Sequence, residues 1–179
     1  MTFNKRDLIL SVINNKPLRP GKIRDEEFLT KFLKEGESLD EEIFRGLNYS
    51  LKNKDAVSLE LNLYLGFHFG FSVKNKDTLA SLLQEEWHEK HADVLRALLA
   101  LKVNDFTVVE AIYNCAITEF DYLSDDREDG IFTLASDCIY ALAKIGTSDA
   151  VQKLKLLSES KWEEIGEKAV DVMRGYNLQ

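Results

Sequence analysis

The chain has 179 residues, of which 45% are apolar and 30% charged, the composition of a globular domain with a sizeable core and not of a disordered segment. Its 23 basic and 31 acidic residues give a net charge of −8. Nucleic acid is therefore not expected as a direct ligand, because phosphate binding requires clustered lysine and arginine. No apolar run approaches the about 20 residues of a membrane span, and no secretory leader is recognisable, so we expect a cytoplasmic protein without membrane partners.

The N-terminal part predicts a series of short helices. Apolar residues at helical spacing predict a first helix near residues 4–14. Both prolines fall in the loop that follows, 14–21. The acidic residues that begin at Asp25 suit the positive end of a second helix. Ser38 followed by Glu41 is a capping box, which predicts the start of a third helix.

The segment 57–73 is ambiguous. Its apolar residues alternate with polar or small ones, a pattern typical of a strand. No other stretch offers a partner strand, however, and the segment is rich in leucine, which favours a helix. We predict a buried helix packed on several sides, with Gly66 and Gly70 admitting a close neighbour.

The second half of the chain repeats itself. In the longer-range self-match, the positions Leu79, Leu82, Leu83 and Trp87 correspond to Leu154, Leu157, Ser158 and Trp162. In the shorter-range self-match, 102–105 correspond to 144–147. Solenoid units run roughly 30 to 47 residues, so the longer match spans two helix pairs and the shorter match one. Further helices are predicted at about 77–86, 89–102, 105–121, 131–145, 148–159 and 162–174.

Residues within this repeat are expected in the core. Trp87 and Trp162 recur in register, which predicts that both are buried between repeats. Cys115 and Cys138 fall inside helical patterns, where free cysteines behave as small buried apolar residues. We predict a single domain over 1–179.

Two histidines are the strongest candidates for a metal site. His88 and His91 lie three apart in the sequence beside Asp93, and such a pair can share a metal with a distant carboxylate. The favoured alternative is that both rings hydrogen-bond the turn after Trp87 and set the angle between successive helices. The sequence contains no phosphate-binding loop and no nucleophile motif, so we expect neither an enzyme nor a cofactor or metal.

The densest charge lies in 119–129, where six acidic residues accompany one basic residue. One interpretation is a solvated loop. The functional interpretation is a patch of carboxylates and tyrosines that contacts a basic protein partner. The predicted contact residues are Tyr113, Asp121, Tyr122, Asp125, Asp126, Glu128 and Asp129.

Four stretches of the chain share their order and spacing with a known family. They are Trp87-His88-Glu89-Lys90-His91-Ala92-Asp93-Val94, Tyr122-Leu123 with Asp125-Asp126, Ala135-Ser136-Asp137-Cys138-Ile139-Tyr140-Ala141-Leu142, and Ile145-Gly146-Thr147-Ser148-Asp149-Ala150. Together they resemble a bacterial group of HEAT-like repeat proteins, over roughly residues 60–174. The chain departs from that group at Ala92 and Tyr140, where the group usually has glutamate and tryptophan.

The resemblance implies an all-α fold, a right-handed α-α superhelix (HEAT-like solenoid) of about nine helices. Residues 1–54 would form cap-like N-terminal helices, and 55–179 the repeats. Proteins of this type often serve as immunity proteins of bacterial polymorphic toxins and contact-dependent growth inhibition systems. The resemblance therefore implies a cytoplasmic antitoxin that binds a toxin domain, and the acidity of the chain suits a basic nuclease. The alternatives are a scaffold for another protein partner and, from a different class, a helical-repeat enzyme.

Overall fold

A computed structural model describes residues 4–124 and 130–178. Every regular element within these ranges is helical, so the all-α prediction is confirmed for this part of the chain. It holds ten α-helices, where about nine were expected: α1 (Lys5–Val12), α2 (Asp25–Phe32), α3 (Leu39–Asn53), α4 (Ala56–Phe69), α5 (Lys76–Leu82), α6 (His91–Ala100), α7 (Phe106–Ile117), α8 (Phe132–Ile145), α9 (Ser148–Ser158) and α10 (Glu163–Gly175). Short 3-10 helices cover Val73–Asn75 and Asp121–Leu123.

Side-chain caps determine where several of these helices begin. The Ser38 hydroxyl accepts a hydrogen bond from the Glu41 amide at 3.2 Å, as the capping box predicts. Asp105 accepts in the same way from the Val108 amide at 3.2 Å, at the start of α7. At the end of α8, Gly146 adopts a left-handed conformation with φ of 62°, which glycine adopts without a steric penalty.

The ambiguous segment 57–73 is a helix as far as Phe69, which confirms the choice of helix over strand. It ends earlier than expected because Gly70 has φ of 104° and breaks the helical path. A Cβ added at Gly66 would lie 2.0 Å from the Phe71 ring, so this glycine does admit a close neighbour. A Cβ at Gly70 would meet nothing within 4 Å, so that glycine has a conformational role instead.

The chain divides into two compact units, Met1–Asn75 and Lys76–Gln179. In the first unit α1 contacts α2 and α4, and α3 contacts α4. Phe28 on α2 is fully buried and stacks on Phe69 of α4, with ring centroids 5.5 Å apart. His68 Nε2 lies 2.9 Å from Asp25 Oδ1 at the start of α2. The predicted N-terminal segment, 1–54, supplies three of the four α-helices found in residues 4–75.

Residues 76–124 and 130–178 of the second unit contain three helix pairs: α5 with α6, α7 with α8, and α9 with α10. Contacts also run in succession from α5 to α7 to α9 and from α6 to α8 to α10. The longer-range self-match of the sequence aligns the residues of the first helix pair with those of the third. Its leucines are equivalent in burial, since Leu79, Leu82, Leu154 and Leu157 are all at most 1% exposed. The repeat in the sequence is thus a repeat of buried helix faces.

The two tryptophans are not core residues, so that prediction is wrong. Trp87 and Trp162 are each only half-buried. Both precede a helix, in a turn, where a side chain has packed neighbours on one side and solvent on the other. Cys115 and Cys138 are buried at 2% and 0% exposure, and their prediction is confirmed.

Candidate protein-binding surface

Three turns lie at one edge of the second unit, because short connections make successive helices alternate in direction. These are the turns within the pairs α5–α6, α7–α8 and α9–α10, and contacts join them in that order. The Tyr122 hydroxyl lies 2.9 Å from His91 Nδ1, and Lys161 Nζ lies 3.8 Å from Glu119 Oε1. We define the hairpin-turn edge as the described residues of these turns with the first two residues of each following helix: 83–92, 118–124, 130–133 and 159–164.

The hairpin-turn edge carries most of the net negative charge of the protein. It contains eight acidic residues, Glu85, Glu86, Glu89, Glu119, Asp121, Glu159, Glu163 and Glu164, and two basic residues, Lys90 and Lys161. The sequence 125–129, which lies outside the described residues, adds four acidic residues and one arginine. The rest of the chain is balanced, with 19 acidic and 20 basic residues. The net charge is therefore concentrated in three turns.

The opposite edge shows no such charge. By the same convention it comprises 101–107 and 146–149, and its ionisable residues in these ranges are Lys102, Asp105 and Asp149. The negative charge is therefore a property of one edge of the helix pairs. It is not a general feature of the turns in this unit.

Two buried histidines hold the first turn in place. His88 Nε2 donates to the Leu82 carbonyl at 2.9 Å, and His88 Nδ1 accepts from the Lys90 amide at 3.1 Å. His91 Nε2 donates to the Glu85 carbonyl at 2.9 Å. A carbonyl oxygen only accepts, so each neutral ring carries its proton on Nε2. Both rings therefore clamp the end of α5 to the start of α6.

Burial keeps these histidines neutral. Both are at most 2% exposed. Desolvation lowers the pKa of His91 to about 4, with a further contribution from neighbouring His88. Desolvation likewise lowers the pKa of His88. A neutral ring with a fixed tautomer is what the paired hydrogen bonds require.

The structure supports a hydrogen-bonding role for the histidines, and only part of it lies in the place expected. His88 Nδ1 accepts from the Lys90 amide in the turn after Trp87. The carbonyls that accept from the two rings, those of Leu82 and Glu85, lie before Trp87. All four ring nitrogens take part in hydrogen bonds, so neither ring offers a lone pair to a metal. In residues 4–124 and 130–178, no three histidine, cysteine or carboxylate side chains are grouped so that they could hold a metal ion.

The predicted contact residues fall into three groups. Asp121 is exposed on the hairpin-turn edge. Tyr122 is half-buried, and its hydroxyl is hydrogen-bonded to His91 Nδ1. Burial raises the pKa of Tyr122 to about 12. Tyr113 is half-buried on α7, with Lys153 Nζ 4.4 Å from its ring centroid. Asp125, Asp126, Glu128 and Asp129 lie outside the described residues.

Trp162 is the centre of the concave surface at this edge, and sequence reasoning missed it. One cavity, of about 560 Å³, opens between Trp162 and the apolar side chains of Ile131, Phe132 and Ile165. A second, of about 520 Å³, lies towards α7 and α9. Its walls include Ile117 and Leu156, which are 40% and 45% exposed. One signal was present in the sequence: Trp162 stands between polar residues, in Ser-Lys-Trp-Glu-Glu.

Lys161 and Glu119 line both cavities together with Trp162. Lys161 Nζ lies 4.5 Å from the Trp162 ring centroid and 3.8 Å from Glu119 Oε1. A cation thus rests on the indole face beside a carboxylate. Apolar walls, a central tryptophan and a charged rim are the arrangement found at protein-binding hot spots.

Comparisons of the chain with protein-family models, with curated proteins and with solved structures find no match. Among the described helices, none combines the length and the apolar character that crossing a bilayer requires.

Proposed function

We propose that this protein acts by binding, and that its hairpin-turn edge docks a basic protein partner. The observation that carries the proposal is the segregation of charge: eight acidic residues against two basic ones line an edge that also presents Trp162 between two cavities. A concentrated negative field attracts a basic partner from a distance and disfavours acidic competitors. The tryptophan and its apolar neighbours then supply the short-range contact.

We further propose that the helix pairs form an α-solenoid of the right-handed HEAT-like type. The succession of contacts α5–α7–α9 and α6–α8–α10 supports this arrangement, because stacked repeats contact their neighbours along two parallel layers. A solenoid aligns equivalent turns along one edge, so that several turns of one unit reach a single partner.

Within this class we propose an immunity protein, which binds a toxin domain in the cytoplasm and masks its active site. The resemblance of four sequence stretches to HEAT-like immunity proteins suggests the role. The charge of the edge suggests the target, since a row of carboxylates complements the basic groove in which a nuclease binds phosphates. The protein would then neutralise its partner without any chemistry of its own.

The test is co-expression with a toxin domain encoded by a gene adjacent to this one. The edge variant carries Asp121→Asn, Glu163→Gln and Glu164→Gln, three exposed residues of the hairpin-turn edge. The control variant carries Asp7→Asn, Glu26→Gln and Glu35→Gln, three exposed residues of the first unit. The variants are matched in residue types, and each includes two acids from the first turn of a helix.

The wild type and the control variant should protect cells and bind the toxin domain, whereas the edge variant should bind at least about tenfold more weakly. Equal binding by both variants would remove the hairpin-turn edge from the proposal. Absence of protection by the wild type, together with stable association with a housekeeping complex, would favour a scaffold role instead.

A further inference from the structure

We propose that the cavity beside Trp162 receives an arginine side chain of the partner, which takes the place that Lys161 occupies in the free protein. The inference rests on the proposed binding function and names the chemical group that the surface recognises. Lys161 already shows that this position accepts a cation, since its ammonium group rests on the indole face and next to Glu119.

The cavity suits an arginine along its whole length. Ile131, Phe132 and Ile165 form apolar walls for the methylene stem. The indole of Trp162 offers a face on which a planar guanidinium stacks. Glu163 and Glu164, both exposed, join Glu119 around the cavity and present carboxylates that accept paired hydrogen bonds from a guanidinium.

The contacts that hold the Lys161 side chain are weak, so a cation of the partner can displace it. Its side chain is 75% exposed, and that of its partner Glu119 is 52% exposed. An ion pair this open to solvent contributes little to stability, so its loss costs the protein little. Release of Lys161 leaves the indole face and the Glu119 carboxylate free for a cation from the partner.

The same geometry favours arginine over lysine. An ammonium group is a compact and strongly hydrated charge, whereas a guanidinium is planar, less strongly hydrated and able to stack and to bind a carboxylate through two N–H groups. A lysine of the partner would make only the contacts that Lys161 already makes with the indole face and with Glu119. The cavity therefore distinguishes a guanidinium from an ammonium group, although both carry the same charge.

The experiment measures binding of a tetra-arginine peptide and of a tetra-lysine peptide to the full chain by calorimetry, so that no natural partner is needed. The wild type should bind tetra-arginine about fivefold more tightly than tetra-lysine. Lys161→Met removes the internal competitor and should tighten tetra-arginine binding about threefold. In a Trp87→Phe background Trp162 is the sole tryptophan, and its fluorescence should change saturably with tetra-arginine.

A matched pair of variants locates the effect. Trp162→Leu should abolish the preference for arginine, and Phe106→Leu, at an exposed aromatic residue outside the hairpin-turn edge, should keep it; circular dichroism checks that each variant is folded. Lys161→Met lies on the surface and gives an independent result if Trp162→Leu does not fold.

Equal affinity for the two peptides, or weaker arginine binding by Lys161→Met, would overturn the arginine site. If the toxin domain still bound in that case, the proposed function would stand without this inference. If the protein preferred the arginine peptide but bound no toxin domain, the arginine site would stand and the proposed function would be contradicted.

Discussion

The hydroxyl of Tyr122 donates a hydrogen bond to His91 Nδ1 at 2.9 Å, and this bond joins the turn that precedes α8 to the first residue of α6. The His91 ring also packs against the ring of buried Phe120, with centroids 3.8 Å apart and an angle of 34° between the ring planes. The base of the α7–α8 turn is thus fixed to the neighbouring helix pair. The acidic residue between Phe120 and Tyr122, Asp121, is presented to solvent from this fixed base.

Tyr122→Phe should destabilise the second unit by about 1–2 kcal/mol, because it removes the hydroxyl and leaves buried His91 Nδ1 without a donor. Urea unfolding followed by circular dichroism measures the change. Tyr176→Phe is the control, since Tyr176 is 42% exposed at the end of α10 and should change stability by less than about 0.5 kcal/mol. Equal effects of the two variants would show that the bond to His91 contributes nothing.

Stability should fall as the pH drops from about 6.5 to 4. In the unfolded chain His91 binds a proton near its ordinary pKa of 6.5, whereas in the folded protein burial lowers the pKa to about 4. The unfolded state therefore binds more protons throughout this window, and up to about 3 kcal/mol of stability is lost on acidification. His88, whose pKa is also lowered by burial, acts in the same direction.

The variant His91→Phe isolates this effect. It should be less stable than the wild type at pH 7, because the Glu85 carbonyl and the Tyr122 hydroxyl lose their partner. Its stability should nevertheless vary less between pH 6.5 and 4, since the titrating ring is gone. Chemical unfolding at several pH values gives both curves, and parallel curves would contradict the assignment to His91.

Gly46→Ala should destabilise the first unit by about 1–3 kcal/mol. An added Cβ would lie 2.0 Å from Asn62 Oδ1, and Asn62 is 8% exposed with its amide donating to the Ser58 carbonyl at 2.7 Å. The asparagine would have to leave this position. Gly175→Ala is the control, since a Cβ there meets nothing within 4 Å. Adding Asn62→Ala to the Gly46→Ala variant should restore part of the lost stability, as thermal unfolding would show.

The two cysteines should be unreactive in the folded protein. Hydrogen bonding to Cys115, followed by burial, raises the pKa of the Cys138 thiol well above its usual range. Thiolate is the reactive form of Cys138, and Cys115 is shielded because it is only 2% exposed. A neutral aromatic disulfide reagent should therefore modify neither cysteine at pH 8 in buffer and both in concentrated urea. Rapid modification of the native protein would show that the α7–α8 interface opens readily.

Much of the fold was predictable because it depends on local chemistry. Ser38 with Glu41 marked the start of α3, and Gly146 ended α8 where a left-handed residue was required. The leucines of the longer-range self-match identified two equivalent helix pairs, since burial imposes the same apolar spacing on each copy. The segment 57–73 was assigned correctly as a helix as far as Phe69, because its composition and lack of a partner strand outweighed its alternation.

The candidate surface was predictable only in its charge. The sequence shows how many acidic residues the three turns hold, but not that these turns lie side by side. That Trp162 is only half-buried and that Tyr122 is hydrogen-bonded to His91 depend on which turns become neighbours when the helix pairs stack.

By itself, the sequence determined the helices, their repeat and the sign of the charge, since each of these follows from the order of residue types along the chain. Only the tertiary structure decided which side chains meet: His91 with Tyr122, and Lys161 with Glu119 and Trp162. The physical reason is that a helix determines its own buried face through its periodicity. The exposure of a residue in a turn is determined by neighbours that lie far away in the sequence.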